Sequence, residues 1–494
     1  MNILLDTNIL IPLEDAARKL DPSLATMRKL SEQNGHVLFV HPSQEEEIRR
    51  DKDANRRDIV LSRLKQYQLI PSPPLLSADH LRQYEWPQQN ENDRVDNLLL
   101  HALCRGAVHL LVTNDRGIHQ KARSAQVQEQ VHYLSQFLGF LEKQCGKQKP
   151  PPFGLEDCHL HEFDVKQPFF DSLRDAYDGF DAWYMRCAQE HRKAWCITDE
   201  KKQPLAICIY KEEESPTIVA NGNPLNGRAL KLCTFKVGEN VRGRKLGERL
   251  LFSAFKFAVN KDIPYVYLHT YGKEQGMLVS LCQDYGFEEA GKNEKDEDVY
   301  LKKMSRPTST PEGMSALTYA INYYPHYLDS DSVGKFIVPI QPKFHDDLFP
   351  DTSDTAQGLF ANDNRVYNPQ ANAIKKAYIC HSNTKQIKIG DLLLFFRTRD
   401  RKSIECMGIV EQTYYGRDVN KVLPLVSKRT VFSQDKIQEK LQKDALVILF
   451  RFLRNFDPIS GQTLLGAGIK GPIQSIRKIS HEQYAKCFSG SSNE

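Results

Sequence analysis

The sequence predicts a multidomain α/β protein built from three blocks: a parallel α/β/α sheet, a mixed α/β domain and a small, mainly β barrel. The chain has 494 residues, and single hydrophobic cores stop growing at roughly 250 to 300 residues. Two stretches rich in Pro, Gly and small polar residues, at 145–154 and 305–313, resist regular structure and divide the chain. The predicted domains are therefore residues 1–145, 155–304 and 313–494.

Composition narrows the class of protein but leaves its function open. Hydrophobic residues make up 40% of the chain and charged residues 26%, which is ordinary for a globular protein. We expect a cytoplasmic protein without a membrane partner, because no run of about 18 apolar residues could span a bilayer and MNILLDTNIL lacks the pattern of a signal peptide. The eleven cysteines include no CxxC pair, which argues against a disulfide framework or a structural zinc site.

The first block alternates short apolar runs with helical patterns, which is the rhythm of a parallel sheet covered by helices. The runs are ILL at 3–5, VLFV at 37–40 and LLV at 110–112. Open α/β sheets place their ligands at the carboxyl ends of the strands. The residues that follow these runs are therefore candidates for a functional site.

Acidic residues stand at these positions. Asp6 and Asp115 close two of the strands, Glu47 or its neighbour Glu46 lies on the helix after another strand, and Asp96 begins a later helix. Any one of these acids is more often a helix cap or a turn residue. Four of them at the ends of successive elements predict a shared site, because clustering them without a cation would cost repulsion.

The segments DTN, the proline-led helix ending in Glu-Ile, VDNLLLHA and VTNDRG resemble, in this order, the landmarks of the PIN domain family over about residues 1–143. The resemblance implies a metal-dependent endoribonuclease. Asp6, Glu47, Asp96 and Asp115 would bind Mg²⁺ or Mn²⁺, which activates water for attack on a phosphodiester. A PIN-like fold that only binds RNA is the competing interpretation.

The middle block contains a basic, glycine-bearing turn between a strand and a helix. Strand-like runs lie at 204–211, 229–237 and 265–271, and the second of these is followed by GENVRGRKLGERLL. A turn with Arg242 and Gly243 at a helix N-terminus can hold a phosphate through backbone amides and the helix dipole. Taken alone, such a turn is more often a solvated basic loop.

Together with YVYLHT and LCQDYGFEEAG, this turn resembles the pyrophosphate loop and following motifs of the GNAT acetyltransferase superfamily, over about residues 169–304. The resemblance implies N-acetyl transfer from acetyl-CoA to an acceptor that the sequence does not identify. The residues implied in cofactor binding are Thr234, Val237, Arg242, Gly243, Arg244, Lys245, Leu246 and Gly247.

Two positions depart from the pattern of this superfamily. Lys245 replaces the first glycine of the loop, where it either hinders close approach or adds a cation for the pyrophosphate. Cys282 stands where many members have a tyrosine, so it is a catalytic candidate as the acid for the departing thiolate, or else a core residue. His269 is either a general base or a structural histidine.

The third block has strand-like runs at 336–340, 391–396, 407–415 and 445–452 and few long helices, which predicts a small β barrel. It is faintly similar to the PUA-like barrels of the EVE and ASCH families, and this similarity implies that RNA is a partner. Cations beside aromatic residues could hold phosphates and stack bases, although aromatics in a small barrel are more often core. The candidates are Phe395, Phe396, Arg397, Arg399, Arg401, Lys402, Tyr414, Tyr415, Arg417 and the run SKRTVF at 427–432.

The leading hypothesis is an RNA-directed protein that combines a PIN-like endoribonuclease, a GNAT-like acetyltransferase and a PUA-like reader. One alternative is an acetyltransferase of protein or aminoacyl-RNA in which the PIN-like domain only binds or regulates. A second alternative is a non-catalytic regulatory scaffold.

Overall fold

The computed structural model describes residues 1–15, 20–145, 155–271, 275–349 and 373–488. Most of the predicted linker at 145–154 lies outside these ranges. The second predicted linker, 305–313, contains no helix or strand. The described residues form a mixed α/β protein with one fully parallel sheet and two mixed sheets, which confirms the predicted class of fold.

The first block folds into a parallel five-stranded sheet with the order β3-β2-β1-β4-β5. Side chains of neighbouring residues on a strand point to opposite faces, and Ile3 and Leu4 accordingly belong to two different core clusters, so both faces are covered. The strands are β1 (Asn2–Leu5), β2 (Val37–Val40), β3 (Gln68–Leu69), β4 (Leu110–Val112) and β5 (Val131–His132). The helices are α1 (Thr7–Glu14), α2 (Pro22–Gln33), α3 (Pro42–Arg49), α4 (Ala54–Leu64), α5 (Ala78–Tyr84), α6 (Glu91–Cys104), α7 (Arg116–Ser124) and α8 (Leu134–Gln144), with a 3₁₀ turn at Gln128–Gln130.

The middle block forms a seven-stranded sheet with the order β11-β12-β10-β9-β8-β7-β6, in which only β9 and β10 run parallel to each other. Cys208 of β8 packs with α11 on one face, whereas Ile209 packs with α10 on the other. The strands are β6 (Leu155–His159), β7 (Lys193–Thr198), β8 (Pro204–Glu214), β9 (Arg228–Val237), β10 (Tyr265–Thr270), β11 (Glu288–Lys292) and β12 (Asp298–Lys303). The helices are α9 (Asp171–Ala176), α10 (Phe180–Gln189), α11 (Leu246–Asn260) and α12 (Gly276–Asp284), with 3₁₀ turns at Leu160–Glu162, Pro168–Phe170 and Glu239–Val241.

The third block forms a six-stranded sheet with the order β14-β17-β16-β15-β13-β18. The strands are β13 (Lys335–Ile340), β14 (Lys375–Cys380), β15 (Leu392–Arg397), β16 (Ser403–Gly416), β17 (Ala445–Ser460) and β18 (Arg477–Ile479). The helices are α13 (Ala316–Asn322), α14 (Pro342–Leu348), α15 (Val419–Val426), α16 (Gln434–Lys440), α17 (Gly461–Gly466) and α18 (His481–Phe488).

The predicted closed barrel is wrong for the residues described. Among the strands that the structure describes, the edge strand β14 pairs only with β17, and the other edge strand, β18, pairs only with β13. Closure requires hydrogen bonds between the two edges of a sheet, and β18 is only three residues long. Register shifts interrupt the pairing of β16 with β17 at three points, and irregularities of this kind bend strands locally.

The chain groups into two compact units. One unit comprises Met1–Gln148, Arg417–Lys428 and Phe432–Gln442, and the other comprises Lys149–Gly416, Arg429–Val431 and Lys443–Glu494. The middle and third blocks thus belong to one unit, apart from α15 and α16. Within the described ranges, no helix is both long and apolar enough to cross a membrane.

Candidate functional site

The two parallel strands of the middle block do not pair along their full lengths. The last pair joins Leu232 of β9 to Leu268 of β10, although β9 continues to Val237 and β10 to Thr270. Beyond this pair β9 stays bonded to β8 and β10 stays bonded to β12. The carboxyl ends of β9 and β10 therefore diverge, which leaves backbone groups on their facing edges for another partner.

A β-bulge in β9 marks the point of divergence. Leu232 and Thr234 lie opposite Tyr210 and Ile209, which are adjacent in β8, so Cys233 is the extra residue. A bulge bends its strand and increases the local twist. The bulge thus coincides with the end of the pairing between β9 and β10.

That loop ends at the N-terminus of a 15-residue helix, α11. Gly243 has φ +82° and Lys245 has φ +61°, so both take the left-handed conformation. Lys245 is the N-cap residue of α11 and its side chain makes no capping hydrogen bond to the first-turn amides. Amides without a cap at the positive end of a helix dipole are suited to bind an anion.

Lys245 does not extend a free cation towards this anion position. Its ammonium forms an ion pair with Glu248, whose side chain is 7% exposed, and Tyr285 donates a hydrogen bond to the same carboxylate at 2.8 Å. Burial alone would raise the pKa of Glu248, but Lys245 and the Tyr285 hydroxyl lower it overall. Glu248 and Tyr285 both lie within the quoted segments GENVRGRKLGERLL and LCQDYGFEEAG. Their contact was not predicted, because it joins side chains 37 residues apart in the chain.

Gly247 faces the protein interior. A Cβ built on it would lie 3.1 Å from Leu281 Cδ2, 3.7 Å from Phe235 Cε1 and 3.9 Å from Val237 Cγ2. The missing side chain of Gly247 therefore allows close packing against β9 and α12. Leu246 is also buried, so at both positions only the backbone amide is suited to bind a cofactor.

The other predicted residues of this site differ in burial and in their contacts. Thr234 is buried in β9, directly after the extra residue of the bulge, and Val237 is partly buried at the end of the strand. Arg242 is partly exposed and forms an ion pair with Glu239 at 3.2 Å. Arg244 is partly buried in the loop.

Cys282 lies in the apolar core. Its side chain is completely buried, and burial raises the pKa of its thiol. It packs in the cluster that contains Leu250, Val279 and Tyr285. The structure therefore favours the interpretation of Cys282 as a core residue, because a group that acts on a departing thiolate must reach the cleft.

The ring of His269 accepts a hydrogen bond through its Nδ1 atom. Asn293 accepts from the backbone amides of Lys295 and Glu297 through Oδ1, so its Nδ2 is the donor to His269 Nδ1 at 2.9 Å. Burial, followed by the charge of Lys231, lowers the pKa of His269 to about 4. The neutral ring therefore carries its proton on Nε2, and its one lone pair already accepts from Asn293, so His269 is poorly suited to act as a general base.

A cavity of about 530 Å³ lies against β8, β9 and β10 on the side of the sheet opposite α11. Its lining carries both signs of charge. The lining residues are Lys211, Glu212, Glu213, Glu214, Pro216, Thr217, Lys231, Tyr267 and His269.

The four predicted acids of the first block lie close to one another. Asp6 is buried, and burial together with the charges of Asp96 and Glu47 raises its pKa to about 7, although a hydrogen bond from Thr113 opposes the shift. Burial and the charges of Asp115 and Glu47 likewise raise the pKa of Asp96 to about 6. These couplings place all four carboxylates in one electrostatic cluster.

The structure distinguishes Glu47 from Glu46. Glu47 accepts a hydrogen bond from Thr7 Oγ1 at 2.6 Å and contributes to the raised pKa of Asp6. Glu46 turns away and pairs with Arg94 at 2.7 Å. Glu47 is therefore the helix acid of the cluster.

The cluster does not form a preorganised metal site. The oxygen atoms of its four carboxylates are the kind of donor that Mg²⁺ and Mn²⁺ prefer. However, within the described ranges no group of three or more His, Cys, Asp or Glu side chains has an arrangement that could hold a metal ion. Asp6 caps α1, Asp115 caps α7, and Lys121 lies 3.5 Å from Asp96.

Several predicted RNA-binding residues of the third block have structural roles. Phe395 is fully buried. Arg397 is 7% exposed and pairs with Asp346 and Asp400, so it is not a surface cation. These two positions are corrections to the predicted surface, because a side chain in the core cannot reach a nucleic acid.

Some of the remaining predicted residues also have structural partners, and others are exposed. Arg401 pairs with the buried Glu405 at 2.9 Å, and Arg429 pairs with Glu411. Lys428 donates to two backbone carbonyls of the first block. Arg399 is exposed and keeps its place in the prediction, as do Lys402, Tyr414, Tyr415 and Arg417.

Comparison with known proteins found no matching family model and no matching curated protein sequence. Similar solved structures include ASCH from Zymomonas mobilis, with 15% identity over 32% of this chain and 94% of that chain, at a TM-score of 0.24. A GNAT family N-acetyltransferase from Escherichia coli in complex with CoA is 13% identical over 32% and 84%, at 0.23. A putative acyl-CoA N-acyltransferase from Klebsiella pneumoniae is 16% identical over 31% and 98%, at 0.22. None of these three is described as a PIN domain.

Proposed function

We propose that the middle block binds acetyl-CoA and transfers its acetyl group to an acceptor. The divergence of β9 and β10 after Leu232 and Leu268 carries this proposal, because it opens the sheet beside the N-terminus of α11. An extended thiol-bearing arm could lie along the free strand edges while its pyrophosphate meets the helix amides. Bound acetyl-CoA would supply an activated thioester.

The residues of the loop would act through their backbone. The left-handed conformations of Gly243 and Lys245 turn the chain into α11, so that the first-turn amides are available to an anion. Thr234 and Val237 would contribute the edge of β9 that faces the opening. Arg242, which is 45% exposed, would add a cation at the rim.

The proposal is tested by calorimetry of CoA binding to the full chain and to two variants of Gly243. Asn and Asp have almost the same size and both tolerate a positive φ. We expect Gly243→Asn to bind CoA nearly as well as the natural chain, whereas Gly243→Asp places a negative charge beside the phosphates and should weaken binding at least about tenfold. Equal affinities for the two variants would show that the loop does not hold the pyrophosphate.

We propose metal-dependent RNA cleavage by the first block as a second function. The mutual electrostatic coupling of Asp6, Glu47, Asp96 and Asp115 favours it, since concentrated negative charge attracts divalent cations. These four described carboxylates are not arranged as a group that could hold a metal ion, so we derive no catalytic step through one. RNA recognition by the third block belongs to the same proposal.

A further inference from the structure

Charged and aromatic side chains form a path of buried and partly buried contacts between the loop before α11 and the sheet of the third block. The path begins at Lys245, whose ammonium pairs with Glu248. Tyr285 then donates to Glu248 at 2.8 Å. Glu248 and Tyr285 are both buried, so neither can readily exchange its partner for water.

Residues of the third block contact Asp284 and Tyr285 at the other end of this path. The guanidinium carbon of Arg451, on β17, lies 4.8 Å from the centre of the Tyr285 ring. Arg451 also donates to the carbonyl of Asp284 at 2.9 Å, and its charge is paired with Glu411 at 2.9 Å. Lys375, on β14, pairs with the Asp284 carboxylate at 3.0 Å.

The backbone of the turn after α12 also packs closely against the third block. A Cβ on Gly286, which has φ +79°, would lie 2.3 Å from the carbonyl oxygen of Ile321. The turn after α12 therefore lies directly against α13 of the third block. Tyr285 and Ile337 of β13 also belong to one hydrophobic cluster, so the two blocks share a core at this point.

The backbone conformation of Lys245 depends on these contacts. A residue with a Cβ is disfavoured in the left-handed region, yet Lys245 adopts φ +61° immediately before α11. Its ion pair with Glu248 offsets that strain, since a buried carboxylate needs a partner. The ion pair in turn requires Glu248 to be held in place, and Tyr285 holds it.

We propose that Arg451 and Lys375 are positioning residues for the cofactor loop, which they fix through Asp284, Tyr285 and Glu248. The third block thereby completes the transferase. The inference rests on the proposed binding of CoA to this loop. It predicts that removing Arg451 lowers CoA affinity although Arg451 lies outside the loop.

A mutant cycle on the full chain tests the inference. In the natural background, Arg451→Met should weaken CoA binding about tenfold, a usual size for coupling between sites, and Arg451→Lys should restore part of it. In a Lys245→Gly/Glu248→Gln background the glycine adopts a positive φ without strain, and position 248 carries no charge that needs a partner. There Arg451→Met should change CoA affinity less than twofold. Arg454→Met is the control, because Arg454 lies on the same strand at a partly exposed position.

Amide hydrogen exchange supplies a readout that does not need the cofactor. Arg451→Met should speed exchange at residues 243–248 while exchange in β7 stays unchanged. Equal losses of CoA affinity in both backgrounds, or a lower melting temperature with unchanged affinity and unchanged loop exchange, would overturn the inference. If the natural chain binds no CoA, the proposed function fails, and loop exchange still decides whether Arg451 positions the loop.

Discussion

The Tyr285 hydroxyl donates to the Glu248 carboxylate at 2.8 Å inside the core of the second unit. Glu248 lies on the first turn of α11, and Tyr285 follows the last turn of α12. The contact joins the helix that would meet the cofactor to the turn that packs on the third block. Because a buried carboxylate keeps its charge only with partners, this pair links the stability of the unit to the conformation of the loop.

Replacing Lys245 by alanine should therefore destabilise the protein strongly. The substitution leaves the Glu248 charge without its closest cation, and breaking a buried ion pair from one side costs about 3 to 5 kcal/mol. Chemical denaturation of the full chain measures the loss. The double variant Lys245→Ala/Glu248→Gln should recover most of it, because the glutamine still accepts from Tyr285 and carries no charge. A loss below about 1 kcal/mol, as for an exposed pair, would contradict this expectation.

Several strands of the fold could be predicted from the sequence, because a short run of apolar residues is enough to indicate a buried strand. The runs that begin at Ile3, Val37 and Leu110 coincide with β1, β2 and β4 within one residue. The order of strands and the open edge of the last sheet depend on contacts between distant residues. No local pattern indicates that β13 pairs with the three-residue strand β18.

Only part of the candidate site could be predicted from the sequence, because many of its contacts also join distant residues. Asp6 directly follows β1 as predicted, whereas Asp115 lies three residues after the end of β4 and caps α7. A strand followed by a helix cap is a local pattern, so both positions could be approximated from the sequence. Arg397 appeared to be a surface cation because it stands in a run of charges, but the fold buries it against Asp346. Whether a cation is paired depends on residues far away in the chain.

Acid should unfold the third block partly through His345. Burial, with the charge of Arg397 beside it, lowers the pKa of His345 from 6.5 to about 4 in the folded protein. The unfolded chain therefore binds more protons between about pH 4 and 6.5, and stability must rise with pH in that window. His345→Gln should flatten this rise by about one proton. Melting temperatures of both proteins from pH 4 to 8 measure the slope, and identical slopes would contradict the assignment.

Asp6→Asn and Asp115→Asn should each abolish any Mn²⁺-dependent cleavage of RNA by the full chain, because each replaces a charged oxygen with an amide of the same size. Glu46→Gln is the matched control, since Glu46 pairs with Arg94 outside the cluster and its removal should leave cleavage unchanged. Cleavage by both asparagine variants at the natural rate would remove the nuclease proposal. Cleavage lost equally in Glu46→Gln would point to a general loss of structure.

RNA binding by the third block should depend on Arg399 and Lys402 and not on Arg397. Removing the two exposed cations should weaken binding and reduce its dependence on salt, because fewer counterions are released. Arg397→Ala should instead lower the melting temperature, since it leaves Asp346 and Asp400 without their shared partner. Fluorescence anisotropy with a labelled RNA at several salt concentrations tests this. Unchanged binding by Arg399→Ala/Lys402→Ala would show that this turn does not contact RNA.

Two variants of Cys282 test whether its thiol serves only in core packing or acts as an acid in acetyl transfer. Its side chain is fully enclosed, so Cys282→Ala should leave both CoA affinity and turnover unchanged and cost only the small cavity that it creates. Cys282→Ser should be the less stable of the two variants, because it buries a hydroxyl among apolar neighbours. Calorimetry, an acetyl-transfer assay and thermal unfolding of both variants separate the two roles. Turnover lost in Cys282→Ala with CoA binding retained would instead make the thiol the acid that protonates departing CoA, and the core interpretation would be wrong.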